Sequence, residues 1–239
     1  MKKFIVLIIL LSITNVIFSQ IDIDKNLQDL KKELEYIKEK KVEIKDICIY
    51  KYANWIIFYG DIGYSYNYLP NNAKTRLSKL NKEEKILKKI QIFQDSSWVI
   101  LSDNNAYSVY KTPEKLTTTM KSLNDKGKKI KEVCVTKNNG WVLFYGKIGY
   151  AHYNIPVSAS DKLKSLHDNK KVLKRIIFTN NKGWVIFFGE KGVTFKNIPE
   201  DAEEKIKELN EANKDINYIK FYYDRWVIVY DKYNFVTNF

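Results

Sequence analysis

Residues 140–150 read GWVLFYGKIGY, and this stretch decides the fold because close copies of it recur along the chain. Its apolar run, residues 141–145, is typical of a strand buried on both faces of a sheet. Gly146 and Gly149 then predict a hairpin turn, since glycine tolerates the backbone angles that tight turns need. A β-branched-rich strand is expected before this stretch, at 130–136, and a third strand after it, at 150–155. The stretch is therefore the centre of a three-stranded antiparallel unit.

A helix is predicted to complete the unit. Pro156 ends the third strand because proline cannot donate to a β-ladder. Ser158 is the predicted N-cap of the following helix. Leu163 and Leu166 share one face of that helix. The unit therefore reads strand–strand–strand–helix.

The unit occurs five times with a period of 43 residues. The tryptophans have spacings of 43, 43, 43 and 42, and the four prolines, which include Pro156, are each 43 apart. A fixed period of this length indicates a solenoid or a propeller. The tryptophans that mark the repeat, and that we expect to pack inside it, are Trp55, Trp98, Trp141, Trp184 and Trp226.

The two ends of the chain favour a ring. The fifth unit ends at Phe239 without a helix, whereas a helix is predicted before the first unit, over 26–41. We expect this amino-terminal helix to complete the last blade. The predicted fold is an α+β repeat protein, a closed five-bladed propeller-like ring in which each blade has three antiparallel strands and one outer helix. An open α/β solenoid is the alternative, but it would require polar caps at both ends.

The first nineteen residues are predicted to be a secretory signal peptide. Lys2 and Lys3 precede an apolar run over 4–18, and Ser19 is a small residue at a suitable cleavage point. The run is short for a bilayer span of about 20 residues, which disfavours the alternative of an uncleaved anchor. We therefore expect a secreted or periplasmic protein with one five-repeat domain over 20–239, without a transmembrane span after signal removal.

The composition describes a basic globular protein. The 239 residues include 41 Lys and Arg against 28 Asp and Glu, for a net charge of +13, and 45% are hydrophobic. This excludes disordered and collagen-like chains. Lysine-rich connections recur at one repeat position, over 85–89, 126–129 and 170–175, and predict a basic belt that attracts an acidic polymer such as an acidic polysaccharide, lipopolysaccharide or nucleic acid. Compositional bias toward lysine is the alternative explanation.

The two cysteines are expected to be free. Cys48 and Cys134 occupy the same position in units one and three. Equivalent positions two blades apart exceed the ~7 Å between Cα atoms that a disulfide allows.

Residues 140–150 and 183–189 resemble tandem repeats of the form GWVxxYGxxGY, ending in Ile-Pro before a helix, in largely uncharacterised bacterial secreted proteins. In such proteins the repeats look like propeller-type modules, sometimes beside an enzymatic domain. The resemblance covers essentially the whole chain after residue 19. It implies a propeller-like fold and an extracytoplasmic location, and it carries no catalytic residues across.

The sequence contains no recognisable catalytic, cofactor or metal motif. His152 and His167 lack ligand spacing to a cysteine, and no Gly-x-Ser-x-Gly elbow is present. Aromatic side chains of the third strands are the candidate ligand-binding residues, because tyrosine offers a flat apolar face and a polar tip; packing between blades is the alternative role. These candidates are Tyr64, Tyr66, Tyr107 and Tyr150.

These observations predict a non-enzymatic binding or interaction module for a glycan or a protein ligand. Two alternatives stay open. One is a glycan-active hydrolase or lyase, which would need close carboxylates outside the repeat pattern. The other is a structural component of an envelope complex, which would need one stable partner.

Overall fold

The computed structural model describes residues 22–93, 95–103, 106–136 and 138–239, so the predicted signal peptide at 1–19 lies outside the described residues. Five units follow one another, and each contains a three-stranded antiparallel sheet in sequential strand order. This confirms the predicted strand pattern. The strands are β1 Ile44–Tyr50, β2 Asn54–Tyr59, β3 Gly63–Tyr66, β4 Leu87–Ile92, β5 Trp98–Ser102, β6 Ala106–Tyr110, β7 Ile130–Val135, β8 Trp141–Tyr145, β9 Gly149–Tyr153, β10 Leu173–Phe178, β11 Trp184–Phe188, β12 Gly192–Lys196, β13 Ile216–Tyr222, β14 Arg225–Tyr230 and β15 Asn234–Thr237.

Five α-helices accompany the sheets in the described ranges. The first, α1, covers residues 22–39, so it starts and ends earlier than the predicted 26–41. The other four have twelve residues each and follow the third strand of units one to four: α2 Asn71–Lys82, α3 Glu114–Asp125, α4 Val157–Asp168 and α5 Glu200–Glu211. Among the described residues, none of these helices is long and apolar enough to cross a membrane.

The predicted N-cap at Ser158 is wrong. The N-cap of helix α4 is Pro156, two residues before Ser158 and without a side-chain capping bond, and the helix begins at Val157. The strand ends earlier than predicted, at Tyr153, so Pro156 does not end it. The fixed φ of the proline instead leads the chain into the helix, which starts at the next residue. Ser158 therefore lies inside the first turn, where its Oγ accepts a hydrogen bond of 3.0 Å from the indole nitrogen of Trp184 in the next unit.

Every first strand contains a β-bulge at the same position. In β1 the register shifts between Ile44 and Asp46, so Lys45 is an extra residue with no partner in β2. A bulge redirects the side chains beside it. The residues at this position in the five units are Lys45, Lys88, Lys131, Lys174 and Asn217.

Apolar packing joins each unit to the next. Each of α2 to α5 lies against strands of its own unit and of the following unit, in a separate buried cluster. Helix α1 does the same between units five and one, where Leu30 and Leu34 pack with Ile47 and Val227. The first strands also contact one another in the order β1, β4, β7, β10, β13 and back to β1. The five first strands thus share a common centre.

Cys48 and Cys134 are both buried free thiols, which confirms the prediction that they form no disulfide.

Candidate functional site

One position of the first strand carries a different side chain in every unit. It is the residue after the bulge, and the five members, spaced by 43, lie where the first strands meet. Four of the five side chains are less than 5% exposed, and three of these four carry a formal charge. We call this set the central cluster: Asp46, Lys89, Glu132, Arg175 and Tyr218.

The charges of the central cluster neutralise one another. The Nζ of Lys89 lies 2.6 Å from a carboxylate oxygen of Glu132 and 3.5 Å from one of Asp46. Arg175 lies 3.5 Å from Asp46 and 3.7 Å from Glu132. Two cations therefore share two carboxylates, which is the condition under which buried charges are tolerated.

Tyr218 and the backbone complete the central cluster. The guanidinium of Arg175 stands 4.4 Å from the centroid of the Tyr218 ring, and the tyrosine hydroxyl donates to the carbonyl of Ile47. A carboxylate oxygen of Asp46 accepts the backbone N–H of Ile90 at 2.9 Å. Burial lowers the pKa of Lys89, but the carboxylates of Asp46 and Glu132 outweigh it and raise that pKa overall. The ammonium stays charged at neutral pH.

The bulge residues lie at one end of this cluster and form a basic depression. The cavity has a volume of about 430 Å³. Arg175 of the central cluster also lines it, so the depression ends directly above the buried charges. We call its four bulge lysines the lysine mouth: Lys45, Lys88, Lys131 and Lys174.

Most of the lysine mouth has no carboxylate partner. Lys45 pairs with Asp61 at 2.9 Å. Lys131 donates to the carbonyl of Lys147 at 3.4 Å, while Lys88 and Lys174 donate to the backbone carbonyls of Asp103 and Glu190. In the described part of the chain, none of these three forms a salt bridge. The depression therefore carries uncompensated positive charge.

Like charges crowd one of these lysines. Burial lowers the pKa of Lys88, and the neighbouring ammonium groups of Lys129 and Lys45 lower it further, against the opposing effect of Asp103. An anion bound in the depression would relieve this repulsion.

A second depression, of about 310 Å³, lies at the opposite end of the first strands and is lined by Gln91 and Lys220 among others. The two thiols lie at the same repeat position as these residues. Burial raises the pKa of Cys48, and it raises the pKa of Cys134 to about 11. Both cysteines are therefore protonated at neutral pH, and neither is an activated nucleophile.

The structure does not bring the candidate tyrosines together. Tyr64, Tyr107 and Tyr150 lie on the third strands of different units, and each packs against a different apolar cluster. Tyr66 is 37% exposed, and its ring stacks on that of Tyr64 at a centroid distance of 6.2 Å. The Nζ of Lys74 in α2 is 5.6 Å from the Tyr66 ring. Ligand binding by these tyrosines stays a prediction.

All five repeat tryptophans are buried, at 3–4% exposure, and each belongs to the cluster between its own unit and the preceding one. Trp98 donates from Nε1 to Asn72 of α2 at 3.0 Å, as Trp184 does to Ser158 of α4. The tryptophans thus pack one unit against the next, as the repeat pattern predicts.

The two histidines belong to a small aromatic group on the outside of unit three. Tyr150 stacks on His152 at 5.9 Å and meets the edge of His167 at 5.3 Å. The Nε2 of His152 lies 3.3 Å from the hydroxyl of Ser160. Across the described ranges, no group of three His, Cys, Asp or Glu residues is arranged to hold a metal ion.

Comparisons with known proteins give no family for the chain. No protein-family model matches it, and no curated protein matches it either. Function must therefore be inferred from the residues that line the depressions.

Sequence reasoning missed the central cluster and the lysine mouth. The signal was present, because superimposing the five units at a period of 43 places Asp46, Lys89, Glu132 and Arg175 in one column of an otherwise apolar strand. The lysine-rich connections of the predicted basic belt include Lys88 and Lys89. The bulge directs these two neighbours to different places: Lys88 lines the depression, and Lys89 is buried beneath it.

Proposed function

We propose that the protein is a non-enzymatic, secreted or periplasmic binding module that holds an acidic glycan at the lysine mouth. One observation carries the proposal. Four lysines from four separate units line a single depression, and among the described residues three of them have backbone carbonyls, and no carboxylate, as partners. Such a concentration of unpaired cations attracts polyanions and increases their rate of association.

The proposed scaffold is a closed five-bladed ring. Two features of the junction between units five and one support closure. Ile44 N–H donates to the carbonyl of Lys232 at 2.9 Å, which joins unit one to unit five. The equivalent bond joins units one and two, where Leu87 N–H donates to the carbonyl of Asp61 at 2.8 Å. Helix α1 fills the apolar space at the first of these junctions as α2 does at the second. Closure would place the lysine mouth on the ring axis.

Binding without catalysis fits the two buried carboxylates behind the depression. Asp46 and Glu132 are buried, and each pairs with both Lys89 and Arg175. A general acid or base must reach the reacting atoms of its substrate. These two carboxylates are instead occupied by ion pairs with the same two cations, which suits a structural role.

The proposal is tested by measuring the affinity of the purified protein for polygalacturonate, with neutral dextran as the comparison polymer. We expect binding to polygalacturonate alone, and we expect it to weaken as NaCl is added because salt screens charge attraction. The variant Lys131→Gln/Lys174→Gln should bind about tenfold more weakly or worse, since both ammonium groups face the ligand.

The matched control is Lys121→Gln/Lys162→Gln, which removes the same charge from the outer helices α3 and α4. It should retain the affinity of the unaltered protein. Equal binding of dextran, or equal losses in the two double variants, would overturn the proposal.

A further inference from the structure

We propose that the lysine mouth accepts one compact multivalent anionic group, of the phosphate or clustered-carboxylate class, which enters end-on. The inference rests on the proposed function for the identity of the site. It goes further by specifying which part of an acidic ligand the site holds: a terminal group, not a stretch of polymer.

The depression is blind, which favours an end group. Arg175 lines its floor, and Lys89, Asp46 and Glu132 lie immediately behind with almost no exposure. Their mutual ion pairs close the space between this depression and the one at the opposite end of the first strands. A linear polymer therefore has no passage through the common centre.

The charges around the depression specify a multivalent anion. Three carboxylates, those of Glu43, Glu190 and Asp215, line it together with six cations. Arg175 already pairs with two buried carboxylates and Lys45 with Asp61. The three lysines that donate to backbone carbonyls would be balanced by a ligand with several negative charges in a small volume. The six cations are Lys45, Lys88, Lys131, Lys174, Arg175 and Lys191.

The size and the residue types point to the same class of ligand. A volume of about 430 Å³ lies in the range of small-ligand sites, which is about 300–1,000 Å³. Lysine acts as a flexible point charge, which suits a compact oxyanion more than a planar group that needs a bidentate partner. The one arginine present already contacts two carboxylates and the Tyr218 ring.

The unit-five side of the depression disfavours a polyanion that lies across it. At the bulge position of that unit, Asn217 replaces the lysine, and its side-chain nitrogen donates to Asp215 at 3.2 Å. Exposed Glu43 is also at this border. An acidic polymer crossing the depression would meet these carboxylates, whereas a single end group can stay beside the lysines.

Two sources share this chemistry: a free small anion, and the acidic end of a glycan. We would titrate the purified protein with inorganic pyrophosphate by calorimetry. We would then add pyrophosphate to the protein bound to polygalacturonate and, separately, to the protein bound to dextran that carries one terminal phosphate, which presents the multivalent end group. We expect one pyrophosphate per chain, an affinity about tenfold weaker in Lys131→Gln/Lys174→Gln but unchanged in Lys121→Gln/Lys162→Gln, and displacement of the polymer. Lys131→Gln alone, at an exposed residue, serves as a second variant with an intermediate loss.

The outcomes separate the two proposals. If the polymer binds but pyrophosphate neither binds nor displaces it, the end-on inference would be overturned and the proposed function would stand. Pyrophosphate binding at the lysine mouth without binding of any acidic polymer would assign the site to a free small anion and overturn the glycan-binding function. Pyrophosphate binding that is unaffected by the lysine variants would place the anion elsewhere and overturn the inference.

Discussion

At the scale of single residues, the central cluster solves a problem that repetition creates. A charge repeated at the same buried position in every unit would face copies of itself, and buried like charges repel strongly. The chain instead alternates Asp46, Lys89, Glu132 and Arg175, so neighbouring units contribute opposite signs. Five is an odd number, and strict alternation would leave one like-charged neighbour pair where β13 meets β1. Uncharged Tyr218 occupies that place and contacts Arg175 through its ring.

Replacing one member should therefore cost more than replacing Lys88, its partly buried neighbour at the depression. Lys89→Met leaves Asp46 and Glu132 to share Arg175 alone, and breaking a buried pair in this way costs about 3–5 kcal/mol of unfolding free energy. Lys88→Met, the preceding residue on the same strand, should change it by about 0.5 kcal/mol or less because that side chain lines the open depression. Urea unfolding of both variants measures the difference, and equal losses would show that the ion pairs contribute nothing specific.

At the scale of elements, the hairpin between the second and third strands of each unit shows how two residue types reach the same backbone conformation. Gly60, Gly146 and Gly189 have φ of 57°, 56° and 60°, while Asp103 and Asp231 occupy the same place with φ of 42° and 48°. The left-handed region is unfavourable for most side chains. The two aspartates compensate: Asp103 accepts the N–H of Ile86 at 2.7 Å, and Asp231 accepts that of Asp215 at 3.1 Å.

These hairpins should make stability depend on acid pH. Backbone N–H donors, helped by Lys85 and Lys214, lower the pKa of Asp103 and Asp231. A lowered folded-state pKa stabilises the protein above the unfolded value, about 3.9, and this contribution is lost as the pH falls through the folded-state pKa. Asp103→Asn/Asp231→Asn keeps a side chain that tolerates positive φ but removes both charges.

We expect this double variant to lose about 1 kcal/mol of unfolding free energy at pH 6, because both ion pairs are partly exposed and screened. The loss should shrink as the pH falls below about 4 and vanish once both carboxylates are protonated in the folded protein. Urea unfolding between pH 2 and 6 measures this. Asp161→Asn, at an exposed residue of α4, is the control and should follow the unaltered protein. A loss that stays constant with pH would assign the effect to the turn geometry and not to charge.

Elements of this fold were predictable from sequence where the signal is local. Proline, glycine and apolar periodicity located the strands, the hairpins and the helices to within a few residues. The bulge at Lys45 was not predictable, because it depends on how β1 pairs with β2, and the separation of Lys88 from Lys89 depends on the bulge. Ser158 is not the N-cap because Pro156 takes that position and the helix starts at the next residue, Val157. The candidate site was missed although its column of charged residues is visible in the repeat, because those residues become a site only where separate units meet.

At the scale of the whole molecule, α1 decides whether the repeat is a ring. One position of the repeat is fully buried in all five α-helices. In α1 this residue is Leu34, which packs between units five and one. An open solenoid unfolds from its ends, because its terminal repeats lack one neighbour. In a closed ring the junction at α1 is as constrained as any other. The members of this position are Leu34, Leu77, Met120, Leu163 and Ile206.

Leu34→Ala and Leu77→Ala should therefore be equally destabilising. Each removes a fully buried leucine from an equivalent junction, and such a truncation costs about 2–5 kcal/mol. Glu35→Ala, exposed on the same helix as Leu34, should cost about 0.5 kcal/mol or less. Urea unfolding followed by tryptophan fluorescence measures all three, and each variant should unfold in one transition because the proposed closure would couple every unit to two neighbours. If Leu34→Ala were nearly neutral while Leu77→Ala was costly, α1 would be peripheral and the repeat would be open, which would remove the common axis on which the lysine mouth is proposed to sit.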